Sequence, residues 1–349
     1  MSNFSYITGA VAAMCMSTSA FAQANLTAET TAPQEVAGQT ILGLSELAAA
    51  AGVADIQVTT GQTLTNSVQN VAEGNTDIAS APFILPFLLS RGAGPYAGVG
   101  PEAGAELAAD LAVLYTYRFS IFGLSAYESS NFGGYDAIAG ATLYNGPPRG
   151  AALNKARAMV RLVTGMDEGE GYTGIQVNWG QAVATMTDGS ADAFLLPLNF
   201  PDARHGQAAS SGAIVIYSFP KDVFEGEAGT AFGNAPGSAA VVEPLRDELF
   251  GPNITVQSED GFFRGYADIG GDVVNTSMDE ELAYALTKSF IDGLDTIRAR
   301  GPRMENAWIA EFDPAFTGMC GPNPMRYHPG AARAWQEAGY TIPDCALPE

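Results

Sequence analysis

Three loops of this 349-residue chain set small or hydroxyl residues where a helix is about to begin. They are Thr30-Thr31-Ala32-Pro33, Thr60-Gly61-Gln62-Thr63-Leu64-Thr65-Asn66 and Asn145-Gly146-Pro147-Pro148-Arg149-Gly150-Ala151. The first turn of a helix leaves backbone N–H groups unpaired at the positive end of its dipole, so such a loop suits an anion. The third loop adds Arg149, whose planar fork matches a carboxylate in a bidentate manner. Its Gly and Pro keep bulk off the backbone while one cation is presented. Ordinary caps and turns use the same residues, and for the first loop that reading stands level with binding.

Other chemistry is thinly represented. The sequence has no G-x-S-x-G elbow, no H-E-x-x-H, no Walker loop and no paired C-x-x-C. Its only histidines are His205 and His328, too few for a His-rich metal site. The glycines of Gly92-Ala93-Gly94-Pro95-Tyr96-Ala97-Gly98 are interrupted by Pro95 and read as a surface loop, not a dinucleotide site. Carboxylates abound, but none forms a distinctive pair of the kind a glycosidase needs. No cofactor, metal or catalytic role is expected.

The elements that position the three loops alternate between strand and helix. Helices are predicted over 34–51, 64–72, 102–112, 151–163, 179–187, 279–300 and 329–338, and strands over 53–59, 77–81, 113–122, 141–144, 193–196 and 213–217. Such alternation makes an α/β fold with largely parallel sheets. The length favours two lobes over one. Tyr117 and Phe119, on the long aromatic strand, flank a cleft or pack in a core, and Trp179 reads mainly as a core residue. His328 and Asp77 read as structural, at a helix start and in a loop.

Sixteen Lys+Arg stand against 38 Asp+Glu, a net charge of −22. That excess argues against nucleic acid or an anionic membrane surface as the main partner. The first 22 residues hold a short apolar run followed by Ala20-Phe21-Ala22, a small-residue cleavage pattern, so they read as a signal peptide cleaved after Ala22. Cys15 follows Met14 and is not placed as a lipid-attachment cysteine, so no direct lipid anchor is expected. Export to an oxidising compartment leaves Cys320 and Cys345, either free or joined in one disulfide worth roughly 3–4 kcal/mol in the chain-entropy model.

The sequence resembles the TAXI family of substrate-binding proteins of tripartite ATP-independent periplasmic (TRAP) transporters. Thr60-Gly61-Gln62-Thr63 with Asn66, Glu73-Gly74 and Asp77-Ile78-Ala79 resembles that family's T-G-S…N…G-x-x-D-I-A segment. Tyr135 to Gly140 resembles its D-L-x-G, Asn145 to Ala151 its G-P-P loop, and Asp188-Gly189 with Ala191-Asp192-Ala193 its D-G-x-x-D-A. His328-Pro329-Gly330-Ala331 followed by Gly339 resembles its terminal H-P-G-A…G. The family's opening G-S-x-x-G-x-Y-Y loop is absent, with Glu29-Thr30-Thr31-Ala32-Pro33 in its place. Gln62 replaces a Ser, and Arg149 stands where a small residue is common.

The resemblance implies a two-lobed type II periplasmic-binding-protein fold, with a hinge and an interlobe ligand cleft. Lobe I would take residues 23–118 and about 270–349, and lobe II about 119–269. Thr30, Thr31, Thr60, Gln62, Thr63 and Asn66 would line one wall, and Asn145, Arg149 and Gly150 the other. A periplasmic receptor passing a small organic anion to TRAP permease subunits is implied. A receptor for an ABC-type importer and a secreted enzyme on the same fold are the alternatives.

The charge excess has a measurable consequence. Acidic groups repel one another and an incoming anion, and the screening length falls from about 10 Å at 0.1 M salt to about 3 Å at 1 M. Melting temperature and anion on-rate should both rise as NaCl goes from tens of millimolar toward molar. Calorimetric melts and stopped-flow binding check it, and a fall in either shows that local positive potential governs instead.

Overall fold

The computed structural model describes residues 23–148, 150–320 and 325–349. The proposed signal peptide and Arg149 lie outside the described residues. Eleven strands form one curled sheet: β1 Ala24–Glu29, β2 Ala54–Thr59, β3 Ile78–Pro82, β4 Leu111–Tyr127, β5 Thr142–Tyr144, β6 Thr173–Ile175, β7 Ala193–Leu198, β8 Ile214–Tyr217, β9 Ser238–Pro244, β10 Ile254–Gln257 and β11 Phe262–Asn275. The main path runs β2-β1-β3-β11-β4-β7-β5-β6, while β8 joins β4 to β10 and β9 pairs with β11.

Two strands are much longer than the rest, and they divide the molecule. The C-terminal half of β11 pairs antiparallel with β3 through Gly270–Val274, and its N-terminal half pairs with β9 through Phe262–Asp268. The strand β4 lies beside β11 along most of its length, then takes β7 at Ile121–Ser125. One lobe thus holds β1, β2, β3 and the C-terminal helices. The other holds β5 to β10, and β4 and β11 cross between them. This is the two-lobed α/β architecture.

Local sequence explains these elements. In β2, Ala54 and Ile56 are buried while Asp55, Gln57 and Thr59 are exposed, the period-2 pattern of a half-buried strand. The aromatic run of β4 is buried on both faces for nearly its whole length, as a central strand must be. The helix Val36–Ala50 buries Val36, Ala37, Thr40, Ile41, Leu44 and Ala48, a stripe at helical period. At the crossover, Gly270 and Gly271 are required by close approach: a Cβ there would sit 2.2 Å from Ala81 O and from Tyr115 O respectively.

Several elements depart from the sequence expectation. The strand β1 lies in a short polar-flanked stretch with only Leu26 and Ala28 buried. The helix predicted over 279–300 is two helices, Glu280–Asp292 and Leu294–Arg298, broken at Gly293, where a Cβ would stand 2.3 Å from Leu47 Cδ2. The strands β9 and β11 carry Ser, Glu, Gly and Asp among their apolar residues, which hid their alternation, and β10 is only four residues long. Cys320 and Cys345 are joined in a disulfide with a Cα–Cα distance of 5.6 Å, tying the last residues of the chain to the segment ahead of the helix Pro329–Glu337.

The crossover holds polar groups in its core. Asp272 on β11 is fully buried and accepts hydrogen bonds from the hydroxyls of Tyr115, of Tyr117 (2.7 Å) and of Ser80 (2.9 Å). Ser80 Oγ lies 2.8 Å from Thr30 Oγ1, so the cluster reaches the end of β1. On β4, the buried Arg118 guanidinium lies between the rings of Phe200 and Trp308, 4.8 Å from each. Those rings come from opposite lobes. Its Nε and Nη2 have no acceptor among the described residues, and burial pushes its pKa down to about 9. The aromatic faces partly replace lost hydration.

Burial raises the Asp272 carboxyl from 3.8 to about 6 despite its three hydroxyl donors. The folded chain then holds this proton more tightly than the unfolded chain does. Its contribution to stability is greatest below pH 4, declines as pH rises to about 6 and is level above. The stability difference between wild type and Asp272→Asn should follow that curve in urea titrations at pH 4, 5, 6 and 7.5. Asp272→Ala, which strands three buried hydroxyls, should cost about 3 kcal/mol.

Candidate ligand cleft

Parallel strands end in the same direction, so the loops after β1, β2 and β3 in one lobe face those after β5, β6 and β7 in the other. Between them lies the gap bridged by β4 and β11, where ligands of open α/β sheets collect. The first two loops of one wall are laced together: Gly61 N–H donates to Thr31 O and Gln62 N–H to Thr30 O, both at 2.9 Å. The helices that follow, Val36–Ala50 and Leu64–Ala72, have no side-chain cap from Glu35 or Thr63. On the facing wall, the helix Ala151–Thr164 is likewise uncapped by Gly150. Asp202, Asp279, Asp313 and His328 each cap their own helix, while the remaining described α-helices, like the three at the gap, have no side-chain cap.

The sequence-derived candidates fall in three groups. Gln62, Thr63 and Asn66 are exposed, and Thr31, Thr60 and Gly150 half-buried, all on loops or the first turn facing the gap. Thr30 is fully buried and bonded to Ser80, so it holds the end of β1 in place. Asn145 is also buried, and its amide is fully engaged: Nδ2 donates to Glu168 at 2.7 Å and Oδ1 accepts from Gln176 at 2.8 Å. Glu168 is gripped by Arg157 Nε and Nη2 at 3.0 and 2.7 Å, and those bonds hold its carboxyl below the usual range. Asn145 thus stiffens the loop from behind. Tyr117 is committed to Asp272, and Phe119 packs on Tyr117 with ring centroids 4.8 Å apart.

A cation absent from the sequence-derived set sits in the gap. Arg204, in the helix Ala203–Ala208 after β7, reaches across the lobes to Glu35 Oε1 at 3.4 Å. Its guanidinium lies 4.8 Å from the centre of the Trp179 ring, and Nη1 is 3.4 Å from Pro197 O. Trp179 is 39% exposed, so it is not a core residue. The edge of its ring would meet a Cβ on Gly146 at 3.2 Å, which explains glycine there. The only hint in the sequence was the scarcity of cations, with Arg204 just after a Pro-Asp helix start.

One constellation imitates an enzyme. His205 Nδ1 is 2.8 Å from Asp202 Oδ1 and Nε2 is 2.9 Å from Ser125 Oγ, the spacing of a Ser-His-Asp triad. Burial would raise the Asp202 carboxyl, but hydrogen bonding and charge from His205 outweigh it and bring it down to about 2. Ser125 and His205 are fully buried inside the lobe, however. The chain of bonds ties β4 to the helix that carries Arg204. A separate hollow of about 450 Å³ lies beside Tyr217, Ser218 and Gln257, with Asp136, Asp222 and Glu259 around it. It is away from the gap, and its one cation, Arg264, is already paired with Asp260 through two bonds of 2.8 and 2.6 Å.

The strand order, with β4 and β11 passing between the two halves of the sheet, is that of a two-lobed α/β fold. No protein family matches the chain, and no curated protein matches it. Among solved structures, a protein from Bordetella bronchiseptica RB50 is similar over 91% of this chain and 99% of its own, at 14% identity and a TM-score of 0.50. A marine-metagenome TRAP solute-binding protein specific for pyroglutamate aligns at 12% identity, over 82% of this chain and 83% of that one, with a TM-score of 0.45. A TRAP periplasmic solute-binding protein from Desulfovibrio salexigens with bound orotic acid aligns at 9% identity over 81% of each chain, TM-score 0.46. At such identities the likeness concerns the fold alone.

Burial of the triad-like group is testable. A fluorophosphonate probe, which labels accessible activated serines, should leave Ser125 unmodified in the native protein by peptide mass spectrometry. A labelled Ser125 would show that the group is open to substrate.

Proposed function

We propose that this protein is an extracytoplasmic solute receptor that takes a small organic acid between its lobes and delivers it to a TRAP permease. The lobe boundaries are taken near residues 118 and 270, with the mature chain beginning after Ala22 and residing in the periplasm. One observation carries the reading: the uncapped helix start at Glu35 meets Arg204 of the facing lobe, beside the loop of Gly61 and Gln62, where two continuous strands bridge the lobes. Backbone N–H groups and a guanidinium converging on one space favour a carboxylate. The ordered motifs of the TAXI family support the choice of permease class. The burial of the Ser125 group supports binding without catalysis, and among the described residues no helix is long and apolar enough to cross a membrane.

A thermal-shift screen against organic acids and amino acids tests the reading. A ligand at 100 times its dissociation constant should stabilise the fold by about 2.7 kcal/mol. Arg149→Ala should then weaken the ligand so found by about 2–5 kcal/mol, as expected when a desolvated carboxylate loses its charge partner. Titration calorimetry measures it, and unchanged affinity removes Arg149 from the site.

A further inference from the structure

We infer that Arg204 and Trp179 form the carboxylate subsite of the cleft, and that Glu35 occupies it as an internal substitute while the cleft is empty. The inference rests on the receptor reading above and names its anion partner. The Arg204 side chain is only 17% exposed, yet its two polar contacts, to Glu35 and Pro197 O, are both 3.4 Å long. Charge-assisted bonds of this type settle at about 2.7–2.9 Å. The pair Arg157–Glu168 in the same lobe reaches that length with a two-pronged grip. Arg204 is therefore a mostly buried fork held loosely by one carboxylate oxygen from the opposite lobe. A free carboxylate entering the gap can align with both prongs, as Glu35, tethered at the mouth of its helix, does not.

Trp179 supplies the rest of the subsite. Its indole holds the guanidinium at 4.8 Å and remains 39% exposed, which leaves apolar ring surface for the body of the acid. The ring is backed by Gly146, and the loop carrying Gly146 is fixed through Asn145 to Glu168 and Gln176. The site thus suits a compact carboxylic acid with an apolar or flat face. Because the Glu35–Arg204 contact joins the two lobes, it also favours closure of the empty cleft, and a ligand must displace it to enter. Removing Glu35 both frees the fork and opens the empty state, and the two effects act in the same direction.

The test uses acetate, benzoate, succinate and glutamate as probes, with affinities from titration calorimetry and from tryptophan emission. For whichever probe wild type binds, Glu35→Gln should tighten affinity about tenfold and Arg204→Gln should weaken it at least a hundredfold. Trp179→Phe should abolish the emission change while calorimetric binding persists. Glu35→Gln lies on a surface loop and keeps the test decisive if Arg204→Gln fails to fold. Binding by wild type with unchanged or weaker affinity in Glu35→Gln, or unchanged affinity in a folded Arg204→Gln, overturns the subsite and leaves the receptor reading intact. If wild type binds none of the four, while the broader acid screen also finds nothing, the receptor reading fails and the subsite with it.

Discussion

Everything in this molecule depends on two strands that belong to both lobes at once. The pair β4 and β11 is buried on both faces through the crossover, so neither lobe completes its sheet without them. A crossing pair of this kind must pass between neighbours on both sides. Gly270 and Gly271 make the passage possible, since any side chain there would collide with the backbone of β3 or β4. The same passage traps polar groups. Asp272 is satisfied by three hydroxyls, while Arg118 lies between two aromatic faces with Nε and Nη2 left without an acceptor among the described residues. Buried polar clusters are costly when half-satisfied, and they discriminate strongly against alternative packings.

The cleft follows from that crossing. With β3 ending at Pro82 beside Gly270 and β7 ending at Leu198 beside Ile121, the two sets of strand ends face each other across the crossover. Supporting groups are then spent on rigidity rather than on ligand. Asn145 and Glu168 brace one loop, Thr30 and Ser80 brace another, and the chain Ser125–His205–Asp202 anchors the helix that presents Arg204. Polar residues behind the wall hold the few exposed groups in place, as binding sites require.

Charge shapes what remains available. Against a net charge of −22, most cations are neutralised locally: Lys155 by Asp268, Arg264 by Asp260, Arg300 by Glu46 and Arg333 by Glu280 and Glu281. The more exposed of these pairs, Arg333 with Glu280 and Glu281, contributes little to stability.

The sequence by itself determined the alternation of elements and the loops that face the gap. The motifs around Thr60, Asn145 and His328 lie at helix starts, where local hydrogen bonding decides structure within a few residues. Strong periodicity in the helix Ala151–Thr164 and the Ala/Leu-rich composition of Val36–Ala50 made them legible for the same reason. Only the tertiary structure decided which residues act. Asn145 looked like a ligand donor, but it is consumed by Glu168 and Gln176, 23 and 31 positions away. Trp179 looked like core, yet it is exposed in the gap beside Arg204. The contact of Glu35 with Arg204 spans 169 positions, and β11 meets β3 and β4 from the far end of the chain. Side-chain partners at such separations leave no periodic trace in the sequence, because they are set by how the two lobes are brought together.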